Sequence, residues 1–137
     1  MRAELKSIFS FDVIAETGTG DLRDWNPSGR DFGIGVTLFV GWQGDERSDA
    51  FDMFLCTPGF FAARVKGSQV ETGQYVTFVR QFDYTAFEGH VKAFIERCEG
   101  PTWPDVARKV AYLARWEFND FNTEASPRGV TQRFFPR

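Results

Sequence analysis

Residues 32–57, "FGIGVTLFVGWQGDERSDAFDMFLCT", constrain the fold most. Two apolar runs rich in β-branched and aromatic residues flank the polar connection "QGDERSD". The second run alternates Phe51, Met53 and Leu55 against Asp52, the period of a strand with one face in a core. Strands over 32–42 and 50–57, joined by so short a link, pair most simply as an antiparallel hairpin.

The hairpin ends in Thr57-Pro58, a helix-start signature. A hydroxyl stands ready for the N-cap, and a proline sits where its missing N–H does no harm. "GFFAARVKG" then predicts a helix of about two turns, ended by Gly67. Upstream, "AELKSIF" at 3–9 reads as a first strand, and the Gly-, Asp-, Pro- and Ser-rich residues 12–31 as a long loop. Downstream, 74–82 alternates as a fourth strand. Thr85 and Glu88 stand at capping-box spacing ahead of a helix that turns Phe87, Val91, Phe94, Ile95 and Cys98 to one face. After the breaker "EGP", Thr102 caps a last helix through "WPDVARKVAYLARWEF", with Val106, Val110 and Leu113 inward and Asp105 suited to the helix dipole. The expected architecture is α+β: a four-stranded, mostly antiparallel sheet with one short and two longer helices packed on one face. It fills a single domain over 1–121, followed by an irregular basic and aromatic tail, 122–137.

Sixteen Phe, four Trp and three Tyr make 17% of the chain aromatic, so large rings supply much of the core. No apolar run approaches a membrane span, and the charged start "MRAELKSIFSFDV" has no apolar signal region. With Cys56 and Cys98 far apart and outside any CxxC pattern, two reduced thiols and a cytoplasmic location are expected. Net charge is −3, with residues 122–137 at +2 and the first 121 at −5. An acidic body disfavours nucleic-acid phosphates and steers towards basic partners.

Candidate chemistry is thin. A small cysteine-dependent enzyme would need Cys56 beside the only histidine, His90. Yet Cys56 ends a strand and lacks a Gly-rich signature, while His90 sits on the rim of a helix face. One histidine and two distant cysteines give no metal-ligand spacing. Asp45, Glu46, Asp49 and Asp52 are interrupted by Arg47 and lack the turn glycine of a calcium loop, so no metal or cofactor is expected. "TGTGD" at 17–21 has no following lysine and opens no apolar-periodic helix, which makes it a loop rather than a phosphate cradle. The tail motif "RFFPR" could stack on single-stranded nucleic acid, but the acidic body argues against it.

One arrangement points to a partner. The 21–31 loop and the 41–49 connection each combine a tryptophan with carboxylates: Asp21, Asp24 and Trp25 in one, Trp42, Asp45, Glu46 and Asp49 in the other. Such a set suits an interface with a basic protein, with aromatic anchors for area and charges for on-rate. Each tryptophan fits equally well as a core residue at a loop or strand end. An exposed first or second strand could also pair with another chain.

"FDMFLCTPGFF" after the "GWQGD" turn, then "FVRQFDYTAFEGHVKAFIERC" and "WPDVARKVAYLARWEFNDF", resembles the immunity protein 8 family. There a strand ending in Cys-Thr-Pro leads into a short helix, and a later Trp opens a last helix that runs into a Trp-Glu-Phe-like end. The resemblance covers residues 3–121 and is carried by Cys56-Thr57-Pro58, Trp103 and Trp116-Glu117-Phe118. Gly59-Phe60-Phe61 departs from the aromatic–Leu pair of the pattern, and 122–137 fall outside it. The resemblance implies a bacterial immunity protein, an inhibitor and not an enzyme. It would be made beside a polymorphic toxin, such as a basic nuclease-like one, whose toxin domain it binds and neutralises.

Overall fold

The computed structural model describes residues 1–118, so the expected tail at 122–137 lies outside the described residues. The hairpin is present: β2 (Gly33–Trp42) and β3 (Asp49–Cys56) pair antiparallel from Gly33↔Cys56 to Val40↔Asp49. β1 (Ala3–Phe9) lies on the other edge of β2, antiparallel from Ala3↔Trp42 to Phe9↔Thr37, with a register shift between Leu5 and Ser7. Past Phe9 the chain turns away, and Ser10 and Asp12 take over from the strand. Ser10 Oγ donates to the Gly35 carbonyl (2.7 Å) and Asp12 Oδ2 accepts from the Gly35 N–H (2.7 Å). Both groups of the β2 entry are thereby satisfied.

The α+β expectation holds, with two refinements to the sheet. The fourth strand, β4 (Val76–Phe78), is shorter than 74–82 and runs parallel to β3. A parallel neighbour needs a crossover, and the helix after Pro58 supplies it. A fifth strand, β5 (Arg115–Trp116), pairs antiparallel with Phe51 and Asp52 on the same outer edge of β3. The last helix therefore ends at Val110 rather than running to residue 118. Helix propensity in "AYLARWEF" is outweighed by burying Trp116 on the sheet, where Glu117 also exchanges hydrogen bonds with the Ala50 backbone (3.0 and 2.8 Å).

A four-residue helix, α1 (Ile14–Thr17), and two 3-10 turns interrupt the 12–31 loop. α2 (Pro58–Ser68) starts as expected, with Thr57 as N-cap and Pro58 at its head, but extends to three turns. α3 (Tyr84–Glu96) is capped by Asp83, whose carboxylate accepts from Ala86 N, and not by Thr85. Glu88 instead takes a hydrogen bond from the Tyr84 hydroxyl (3.0 Å). α4 (Trp103–Val110) is capped by Thr102.

Alternation along β2 and β3 decides where the helices sit. Ile34, Val36, Leu38 and Val40 with Phe51, Met53 and Leu55 form one buried face, covered by Phe87, Val91 and Ile95 of α3 and by Val106 and Val110 of α4. Each fully buried side chain of this size contributes about 1.5–3 kcal/mol. α3 and α4 thus share a face as expected. α2, also expected on that face, is longer than α4 and lies elsewhere, because the crossover to a parallel β4 carries it to the other side of the sheet. There Phe60 lies 5.8 Å from Phe54 and fills the space a side chain at Gly33 would need.

Candidate functional site

The two tryptophan-bearing loops lie at opposite ends of β1. Trp42 pairs with Ala3, whereas Gly20, just before Asp21, accepts the Ser10 N–H at the Phe9 end. Six residue steps separate them, about 20 Å at 3.3 Å each. The acidic residues picked out from the sequence therefore fall into two separate groups and not one.

At the Phe9 end Trp25 belongs to the core. It is 6% exposed, meets Phe32 and Phe82 edge-on with ring centres at 4.9 Å, and donates its indole N–H to Glu16 Oε2 (2.5 Å). Its ring area is spent inside the fold and is closed to a partner. Asp21 caps the 3-10 turn at Leu22–Asp24 and chelates the Arg23 guanidinium (2.6 and 3.1 Å), which holds its carboxyl below the usual range. Asp24 is exposed. Both border a groove of about 590 Å³ along Leu5–Phe9, whose far wall is Tyr84, Glu88 and Lys92 of α3. With Lys6 and Arg23 also in its walls, this groove carries both signs of charge.

At the Ala3 end three of the four tryptophans converge. Trp42, half-buried, meets Trp103 edge-on at 5.2 Å. Phe51 contacts Trp103 (6.5 Å) and stacks on Trp116 (6.4 Å). Asp49 joins the group through one oxygen: its Oδ2 accepts the indole N–H of Trp103 (2.6 Å) and that of Trp116 (2.8 Å). Bonds of this kind to an ionised acceptor are about twice as strong as neutral ones. A cavity of about 190 Å³ opens between Trp42, Trp103 and Asp49, closed by Gly41, Arg47 and Ser48.

The 43–48 turn shapes that cavity. Trp42 O accepts from Asp45 N (3.1 Å), Gly44 takes a left-handed φ of 83°, and Asp45 Oδ1 accepts from Arg47 N (2.9 Å). The chain then folds back so closely that a Cβ on Gly41 would run into the Arg47 carbonyl oxygen. The Arg47 guanidinium sits on Asp45 (2.8 Å) and holds that carboxyl at about 2. Glu46 stands exposed. Trp42, Asp45, Glu46 and Asp49 are thus one cluster, as their sequence spacing suggests. Trp103 and Trp116 complete it but were legible only as a helix start and a helix end. Their one sequence signal is that an indole N–H near the core needs an acceptor, and here it lies 54 and 67 positions away.

The cysteine–histidine pair is not assembled. Cys56 is wholly buried on the α2 face of β3, and burial pushes its thiol up to about 11. His90 is exposed on α3, across the sheet. The "TGTGD" segment closes on itself, with Thr17 Oγ1 accepting from Thr19 N and Gly20 N (3.3 and 2.8 Å). Among the described residues no group of three or more His, Cys, Asp or Glu is placed to hold a metal, and no helix is long and apolar enough to cross a membrane.

Residues 8–121 match the family model of immunity protein 8. No curated protein and no solved structure matches the chain. The chain belongs to the immunity protein 8 family, and its role is that of an immunity protein.

Proposed function

We propose that this immunity protein binds a cognate toxin domain of a bacterial polymorphic toxin system and neutralises it as a stoichiometric inhibitor in the cytoplasm of the producing cell. The family match over most of the chain carries the reading. Contact is made by the Trp42 corner, with Asp45, Glu46 and Asp49 around it. The Asp21–Asp24 loop and the groove along β1 serve as a second contact at the other end of the strand. The net charge of −3 favours encounter with a basic toxin such as a nuclease. Trp25 supports this surface from within by fixing the loop that carries Asp21 and Asp24. Catalysis has no part in the mechanism, which is occlusion of the toxin's active site or locking of its conformation.

Co-expression with the toxin domain encoded beside it is the test. Host cells survive, and the two chains elute from size exclusion as one complex. Continued killing together with separate elution would defeat the reading.

A further inference from the structure

We propose that the cavity between Trp42 and Trp103 receives one basic side chain, a lysine or an arginine, of the bound protein. The inference rests on the toxin-binding reading and names the chemistry of its central contact. Three observations converge on it. First, Trp42 and Trp103 both line the cavity, and tryptophan is the aromatic that attracts cations best. Second, the cavity's polar wall is a half-buried carboxylate. Asp49 is anchored at Oδ2 by two indole N–H groups, while its Oδ1 accepts no hydrogen bond from the described residues. A carboxylate has about four acceptor positions, so this oxygen keeps the capacity to take an N–H from an ammonium or guanidinium. Third, the walls are rigid before anything binds. Asp49 is held by Trp116, which is packed on Phe51, and the turn is held by the Asp45–Arg47 pair and the close approach at Gly41. A preformed site loses little to ordering when it is filled.

Arg47 is the group that works against a cation here, since it also borders the cavity. Its guanidinium is tied to Asp45 and its side chain is 87% exposed, so it faces water and its charge is compensated. A neutral apolar side chain would fill the space but leave Asp49 desolvated without a partner, which disfavours it.

Two arms test the proposal on the full chain. In the first, the indole N–H signals of the ¹⁵N-labelled protein are followed while Ac-Gly-Lys-Gly-NH2, Ac-Gly-Arg-Gly-NH2 or the neutral norleucine analogue is added. At least one basic peptide shifts the Trp103 signal saturably, and norleucine does not. Asp49→Asn and Trp42→Leu each weaken the effect at least 10-fold. Arg47→Ala, which removes the competing guanidinium but keeps the backbone N–H of residue 47 on Asp45 Oδ1 and the close approach at Gly41, strengthens it several-fold. Equal response to norleucine, or no saturable response to either basic peptide, overturns the proposal. In the second arm the same variants are titrated with the toxin domain. Asp49→Asn and Trp42→Leu are expected to weaken the complex roughly 10- to 100-fold, in line with a desolvated cation–aromatic contact. If wild-type and variant proteins bind equally well, the cavity proposal falls while the toxin-binding reading stands. If wild-type protein binds no toxin, that reading falls, and the peptide arm still decides the chemistry of the cavity.

Discussion

Asp49→Ala asks how much of the Trp42 corner is held by one carboxylate. The substitution removes the shared acceptor of two indole N–H groups. Trp116 is 4% exposed, so its N–H is left without a partner, at about 1–3 kcal/mol. Trp103 is half-buried and can turn its N–H to water, so its loss is nearer 0.5–1.5 kcal/mol. Together the fold should lose about 2–4 kcal/mol, which for a chain of this size lowers Tm by roughly 8–16 °C. Asp49→Asn keeps a carbonyl oxygen that can accept both bonds and forfeits only the charge assistance, about 1 kcal/mol. Urea unfolding followed by tryptophan fluorescence measures both values, with unchanged m as the sign that only stability has moved. An Asp49→Ala protein within about 0.5 kcal/mol of wild type would refute the reasoning, because it would mean neither indole bond contributes. The contrast also has a use: Asn spares the fold and removes the charge, so its binding defect can be read apart from instability.

Two further outcomes follow from the joint between β3 and α2. Thr57 is buried, and its Oγ1 accepts from both Phe32 N (3.1 Å) and Phe60 N (3.4 Å). Thr57→Val should cost about 2–3 kcal/mol in chemical denaturation and Thr57→Ser less than about 1 kcal/mol, since only valine strands the Phe32 N–H and uncaps the helix. Cys56 holds its proton to about pH 11 when folded and to an ordinary thiol value when unfolded. Between about pH 9 and 11 the folded state binds more protons, so stability falls as pH rises, by about 2–3 kcal/mol from this group. Cys56→Ala should flatten that part of the profile, and thiol labelling of the native protein near pH 8 should be negligible until denaturant is added.

Much of this fold could be read from local pattern because local pattern is what builds it. The β2–β3 hairpin follows from alternation across a short polar link, Thr57-Pro58 from capping chemistry, and the inward face of α3 from the spacing of Phe87, Val91 and Ile95. Misreadings occur where distant contacts overrule local preference. "AYLARWEF" has helical spacing, yet Trp116 gains more by joining β3 than by continuing α4. The 74–82 segment alternates over its length, but α2 delivers it parallel to β3, and only Val76–Phe78 pair as a strand. Trp25 lies in a loop rich in turn residues, and nothing in its neighbours signals that Phe82, far along the chain, would enclose it. The candidate site divides the same way. Trp42, Asp45, Glu46 and Asp49 are close in sequence and were legible together. Trp103 and Trp116 reach the site only through folding, and a shared hydrogen-bond acceptor leaves no local trace.

In the proposed complex the Trp42 corner meets the toxin domain. Hydrogen exchange of the protein alone and in complex with its toxin domain tests it most directly. Added protection should concentrate on residues 41–49 and the start of α4 around Trp103, with α2 unchanged. Protection confined to α2 and the β4 edge, with residues 41–49 exchanging as in the free protein, would contradict it.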